Sequence, residues 1–408
     1  MPYNYGSRKY SEGVYGGYDT PYVPTAAAVI VEAYDSLGTR KGTFQSGVGG
    51  FIGCEFSHDE NGCRDFILFF ASFQDLEKKD QIKIKLFNSI DYFFTGVIRE
   101  VPIEGSTKQE YNYSGYGFND YLHRISAESQ TYAAQSIEDI IIDLLDSIIT
   151  AKTPVVKNLA KIDIPSITID LNINYTQMIE VLDTLKEIAA SDGNYYVFGV
   201  DQEGEFFFRP RSQDLKCTLI VGKKGRYGIP GYEPTEDNEP KTIYYVLDKD
   251  GNYITTINTG VIGNDIFEEK ITAPDIDAVT IPLWAAGRMR AQEISNKRAT
   301  IQWRINNIDP LPLFADGNVR IISNIPPTAS TQSVDLFGDG LFGSGLFGGE
   351  SYTGYDSDDT MEVKQIKYSI NADQALRQIE IGNLPASLDA SIIKINKELV
   401  DLKTSLSL

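Results

Sequence analysis

Reactive side chains are scarce in this chain of 408 residues, which holds three cysteines (Cys54, Cys63, Cys217) and two histidines (His58, His123). An odd, sparse cysteine set without a Cys-x-x-Cys pair excludes a disulfide framework and fits synthesis in a reducing compartment. No Gly-x-Ser-x-Gly, His-Glu-x-x-His or Walker-type sequence surrounds the histidines. GVGGFIG at 47–53 and GKKGRYG at 222–228 miss the dinucleotide and phosphate-loop spacings. Positive charge is also short: 37 Lys and Arg stand against 57 Asp and Glu, a net charge of -20. That balance argues against a protein that grips nucleic-acid phosphates, because such binding rests on Lys and Arg replacing counterions. No run of about eighteen apolar residues exists, so no membrane-spanning segment is expected. MPYNYGSRKYSEGVYGG lacks the apolar core of a secretion signal.

What is present is globular in composition, with 42% hydrophobic and 23% charged residues. The length calls for two to four structural units. Residues 1–24 form a Tyr/Gly-rich arm in which Tyr3, Tyr5, Tyr10 and Tyr15 alternate with glycines. Such an arm is either a disordered terminus or a segment that docks on a neighbouring subunit, since tyrosines give large contact area at low entropy cost. Over 25–125 the chain turns to short β-branched or aromatic strands, AAVIVEAYDS, FIGCEFS, DFILFFASF, QIKIKLF and DYFFTGVIREV, broken by turn clusters. With a sixth strand at Tyr111, predicted to break at Gly115 and Gly117, they suggest a small closed barrel.

The unit over 126–225 is read as α+β. Ser136 is a plausible N-cap, Glu138 and Asp139 lie in the first turn, and Ile137, Ile140, Ile141, Leu144, Leu145 and Ile148 recur at helical spacing. A second helix is expected from about Thr176 to Ala190. YYVFGVDQEGEFFFRP then reads as a hairpin, as does TIYYVLDKDGNYITTIN within a hairpin-rich segment at 226–285. After Pro282, LWAAGRMRAQEISNKR is expected to be helical, gathering Arg288, Arg290, Lys297 and Arg298. Its basic residues are either a solvated face or a phosphate or partner site, although no Gly-rich loop precedes them.

A second barrel is expected over 286–382, from ATIQWRI, NVRIIS, MEVKQIKYSIN and ALRQIEIGNL, with a long loop at 324–360. In that loop Phe337, Phe342 and Phe347 sit in Leu-Phe-Gly triplets repeated every five residues, a solubility liability unless a partner covers them. Residues 383–408 are read as a C-terminal helix. Leu388, Ile392, Ile395, Leu399, Leu402 and Leu406 follow the four-three rhythm of a coiled coil, though three heptads suit a helix packed on its own domain nearly as well.

The strand at Tyr111, the turn with its aromatic residues and Leu122, and the acidic-apolar helix after Ser136 together resemble the hub proteins of phage tails. So do Gly62-Cys63 ahead of an aromatic strand, the YFFTGVI strand, and the helix followed by the DQEGE hairpin. The resemblance implies a mainly β fold with α+β insertions and two barrel-like domains. It further implies a homotrimeric structural virion protein, made in the host cytoplasm. That protein joins the sixfold tail tube or distal tail ring to a central spike or fibre and lines the passage for DNA. An acidic surface suits a channel along which DNA slides without sticking, but acidity also simply promotes solubility. The arm tyrosines, the three loop phenylalanines and the apolar positions of the C-terminal helix are the interface candidates.

In GCEFSHDENGC, Cys54, His58 and Cys63 approach across a turn with Asp59 or Glu60, but structural zinc wants four ligands from paired short spacings. No metal, cofactor or catalytic residue is expected there. Carboxylate pairs are too abundant here to nominate a glycosidase. The alternatives are a tail-associated cell-wall hydrolase, or a distal-tail ring or carbohydrate-binding baseplate protein.

Overall fold

The computed structural model describes residues 29–45, 50–86, 91–103, 110–221, 235–236, 243–258, 268–292, 297–304, 315–323, 357–371 and 375–382. They form a mainly β protein with helical insertions. Seven strands come from the N-terminal region: β1 (Val29–Tyr34), β2 (Arg40–Gln45), β3 (Phe51–Asp59), β4 (Gly62–Phe70), β5 (Gln81–Leu86), β6 (Phe94–Glu100) and β7 (Tyr111–Gly117). Their side chains alternate between core and surface, so Val29, Val31 and Ala33 of β1 and Ile82, Ile84 and Leu86 of β5 are fully buried. The pairing order is β3-β4-β7-β6-β5-β1-β2. The expected break at Gly115 is absent, and β7 runs through it between β4 and β6. A Cβ at Gly115 would overlap the Val97 carbonyl and the Phe66 ring, so glycine here permits close packing instead of ending the strand.

The middle of the chain builds a second core. β8 (Gln130–Ser136) leads into α1 (Ile137–Leu144), which widens into a π turn (Leu145–Ile149) and ends in the short α2 (Thr150–Lys152). Ser136 is extended and accepts from the Asp139 N–H at 3.1 Å, so the N-cap stands where the sequence places it. The π turn was not expected; within it the Thr150 hydroxyl donates to the Leu145 carbonyl at 2.9 Å. Next come β9 (Val156–Ile162), β10 (Thr168–Ile173) paired with β8, and α3 (Met178–Ala189). The hairpin β11 (Tyr196–Val200) and β12 (Glu205–Pro210) follows. The isoleucines and leucines of α1 pack with Met178, Leu182, Leu185 and Ile188 of α3 and with Phe198, Phe206 and Phe208 of the hairpin.

Beyond it lie β13 (Leu215–Val221), the two-residue β14 (Thr235–Glu236), and β15 (Ile243–Leu247), β16 (Tyr253–Asn258) and β17 (Glu268–Thr272), which make a three-stranded sheet of their own. The helix after this sheet, α4 (Ile281–Gln292), crosses α3 so closely that a Cβ at Gly287 would overlap the Glu187 carbonyl. Lys297 and Arg298, expected on that helix, instead open a strand, β18 (Lys297–Arg304).

The last strands are β19 (Asn318–Ser323), β20 (Ser357–Asn371) and β21 (Ala375–Gly382). Residues 357–360, expected in the long loop, begin β20 and pair with β19. Further along, β20 pairs with β21 and, from Gln365 to Asn371, with β3. The strand-rich regions at 25–125 and 286–382, each expected to form a barrel, are hydrogen-bonded to each other through β3 and β20, and buried residues of both belong to one core. Phe56 of β3 stacks on Tyr368 of β20 at 4.7 Å between centroids. Tyr3, Tyr5, Tyr10 and Tyr15, Phe337, Phe342 and Phe347, and the C-terminal positions from Leu388 to Leu406 lie outside the described residues.

The helix that follows Ser136 should respond to its cap and its buried face separately. Ser136→Ala is expected to cost about 1 kcal/mol, and Ile141→Ala about 2–5 kcal/mol through the cavity it leaves. Urea unfolding of the two variants checks the ranking, which a larger loss for the cap variant would contradict.

Candidate functional site at the junction of sheet and insertion

The place where the helical insertion is fastened to the large sheet holds a fully buried ion pair. It begins with the β3–β4 turn. Asp59 accepts from the Asn61 N–H at 2.8 Å, and Gly62 follows with φ +106°, a conformation in which a side chain is strained. The turn touches β11 backbone to backbone, with the Val200 N–H donating to the Asn61 carbonyl at 3.1 Å. A Cβ at Gly62 would overlap Val200, and one at Gly199 would overlap Asn61, so both sides of the contact require glycine.

Charges seal the same junction. Arg211, just past β12, donates its backbone N–H to the Tyr195 carbonyl at 2.7 Å and its Nη2 to the Val363 carbonyl at 2.6 Å. Its Nη1 meets Glu362 of β20 in an ion pair whose side chains are 1% and 0% exposed. Lys364 Nζ lies 2.9 Å from the other Glu362 oxygen and 3.8 Å from Glu60, which in turn accepts from the Tyr195 hydroxyl at 3.0 Å. Burial pushes the Glu362 carboxyl up, and Arg211 and Lys364 pull it back down. Burial, then Glu60 and Glu362, push the Tyr195 phenol up. Around this centre Arg209 pairs with Asp316 at 3.0 Å, and Asn318 Nδ2 donates to the Gln213 carbonyl at 2.9 Å. Two carboxylates and two cations in mutual contact form a clamp, because removing either partner would strand a buried charge.

The residues that carried the metal reading are core residues. His58 lies opposite Cys63 in the β3–β4 ladder, buried edge-on to Phe56 and Phe94 at 5.8 Å each. Burial pushes its imidazole down to about 3, against a hydrogen bond to the Phe93 backbone. Cys54 and Cys63 are free and buried, and burial raises both thiols. Asp201, Glu203 and Glu205 converge on the Lys161 ammonium, which lies 2.9 Å from Glu203 and 2.7 Å from Glu205. A lysine thus occupies the place between these carboxylates. Arg288 of the basic helix sits 3.8 Å from Glu187 and 5.5 Å from the Trp284 ring, an intramolecular use of its charge.

Neither Arg211 nor Glu362 was singled out in the sequence. Glu362 lies between Met361 and Val363 of β20, all three buried, with a register shift between Val363 and Gln365. The strand is covered on both faces there, one by the core and one by the insertion. The only local signal was a glutamate between apolar strand residues, which alternation assigns to solvent.

Arg211→Leu is expected to destabilise the protein by about 3–5 kcal/mol by stranding Glu362, measured by denaturant unfolding. A loss below about 1 kcal/mol would place the pair in the range of surface ion pairs. His58 gives a separate pH signature. Its folded value near 3 lies below the ordinary 6.5, so its contribution is fully present above about pH 6.5 and lost as pH falls toward 3. His58→Gln is therefore expected to flatten the stability profile across that window, and an unchanged slope would contradict a buried neutral imidazole.

No family model and no curated protein matches the sequence. Solved structures do. A tail protein from Neisseria meningitidis MC58 superposes with a TM-score of 0.59 at 10% identity, covering 89% of this chain and 98% of that one. The 43 kDa tail protein of prophage MuSo2 from Shewanella oneidensis gives 0.56 at 12% identity, with 87% and 97% covered. Identities this low establish the fold alone, and on that level the chain shares, along nearly its whole length, the fold of phage tail proteins.

Proposed function

We propose that the chain is a structural component of a phage tail, serving as the hub that joins the sixfold tube to a threefold spike or fibre. The carrying observation is a fold shared with a tail protein over 89% of this chain and 98% of the other, with no large part of either left over. Burial of His58, Cys54 and Cys63 takes the cluster that suggested a metal centre away from solvent, in keeping with a mechanical role. In this reading the hub is a homotrimer in the virion tail or baseplate. Two strand-rich units per subunit present six similar faces to a tube or distal tail ring protein above, with a central spike or fibre protein below. The net charge of -20 supports passage of DNA without adhesion. Tyr3, Tyr5, Tyr10, Tyr15, Phe337, Phe342 and Phe347 supply apolar contacts between subunits, and the seam of Leu388, Ile392, Ile395, Leu399, Leu402 and Leu406 meets its copies on the axis.

Native mass measurement of the purified full chain is expected to give three copies. Six copies would favour a distal-tail ring instead. Clearing of a cell-wall suspension by the same preparation would overturn the non-enzymatic reading.

A further inference from the structure

The outer face of β5–β1–β2 gathers positive charge on a strongly acidic chain. While Val31 and Ala33 of β1 enter the core, Glu32 and Tyr34 point the other way. Glu32 lies opposite Lys83 of β5 and Thr43 of β2. It accepts from the Tyr34 and Tyr92 hydroxyls at 2.7 and 2.8 Å and lies 3.3 Å from Arg40 and 3.9 Å from Lys85. Lys83 Nζ sits 5.5 Å from the Tyr34 ring and 5.0 Å from the Tyr92 ring, and Lys85 Nζ 4.5 Å from the latter. Arg40, Lys83 and Lys85 therefore surround one carboxylate, a local surplus of two positive charges held in place by aromatic rings. At its border β2 ends the strand order, so its outer edge has no strand partner among the described residues.

The complementary face lies elsewhere on the same chain. From Ile137 to Ile149 the sequence IEDIIIDLLDSII has no basic residue. Its isoleucines and leucines are buried almost throughout, and Glu138, Asp139, Asp143 and Asp146 are exposed. Asp143 and Asp146 have partners in the Tyr132 hydroxyl and Lys157, each at 2.7 Å. Glu138 and Asp139 open the acidic face, Asp139 also accepting from the Ser136 hydroxyl at 2.7 Å. Glu138 to Asp143 rises about 7.5 Å along the helix, and Lys83 and Arg40, two strand spacings and two register positions apart, are separated by about 12 Å, so the acidic row fits within the span of the basic one.

We propose that the basic outer face of β5–β1–β2 receives the acidic face of α1 from a second copy of this chain. The contact joins two different patches, so it is head-to-tail and builds a closed ring when the rotation between copies fits. It rests on the hub reading for the existence of a ring, and adds which surfaces meet. Charge complementarity selects the partner: copies carrying -20 each repel one another in general, and association is favoured where opposite charges are placed face to face.

The test compares the full chain with three variants by mass photometry across a concentration series. Arg40→Glu with Lys83→Glu, and separately Glu138→Lys with Asp139→Lys, should each raise the dissociation constant of the assembly about tenfold or more. Combining all four substitutions in one chain exchanges the signs at those four positions, though not at Asp143 and Asp146, and should recover assembly at least in part relative to either two-residue variant. Thermal unfolding of each monomer keeps loss of fold separate from loss of contact. As a check that needs no variant, assembly of the unsubstituted chain should weaken between about 0.05 and 0.5 M salt. Two-residue variants that assemble normally, a four-residue variant that stays dissociated though folded, or salt-insensitive assembly would each overturn the pairing and leave the hub reading standing. An unsubstituted chain that is monomeric at every concentration would overturn both. If the Arg40/Lys83 variant keeps its ring but loses affinity for duplex DNA, the face serves nucleic acid and the proposal is wrong.

Discussion

The register of β20 is the constraint on which the rest of the structure depends. Its 15 residues pair with β19 at the start, with β21 along most of the length, and with β3 at the end, where Ile370 lies opposite Cys54. A slip of one residue would turn Ile366, Tyr368 and Ile370 out of the core and bring Lys367 in. The ladder joins parts of the chain more than three hundred positions apart, so it completes the core only after a large loop is closed. The N-terminal strands have a core face that β20 and β21 fill, with Phe56, Phe94 and Tyr368 in one aromatic cluster.

Once β20 is in place, its other face needs a cover, and the insertion supplies it. Glu362 faces Arg211 there, fully removed from water. Such pairs seldom add much stability over an apolar alternative, because desolvation offsets most of the attraction. What they add is selectivity. An insertion docked in another orientation would leave Glu362 and Arg211 without each other, at a cost of several kcal/mol. The glycine contact at Gly62 and Gly199 acts in the same sense through shape, since no bulkier pair of residues permits that approach.

Local features were legible in the sequence and long-range ones were not. The cap at Ser136, the buried stripe of α1, helix α3 and the two Gly-turn hairpins all follow from spacing and turn chemistry within a few residues. The π turn escaped because its residues continue the same apolar spacing as α1. Gly115 was misread because a glycine that ends a strand and one that admits a neighbour look alike until the neighbour is known. Lys297 and Arg298 extend a helix-like composition, yet their partners on β21 and β14 draw them into a strand. The clamp at Arg211 and Glu362 depends on two segments about 150 residues apart, and neither residue carries a mark of its partner.

The junction also bears on what the fold is suited to do. From β14 to β2 the strands form one hydrogen-bonded path, and the insertion is tied to it through backbone contact at Asn61 and Val200 and through charge at Arg211 and Glu362. With several points of attachment, Arg209–Asp316 and Asn318–Gln213 among them, tilting the insertion about one of them breaks the others. Breaking the Arg211–Glu362 contact exposes a desolvated ion pair, so the motion costs more than a hinge at a single loop. The insertion and the sheet are thereby held against relative tilting. In the proposed hub reading, such resistance to deformation is what a part placed between a tube and a spike requires, whereas binding a small molecule places little demand on it.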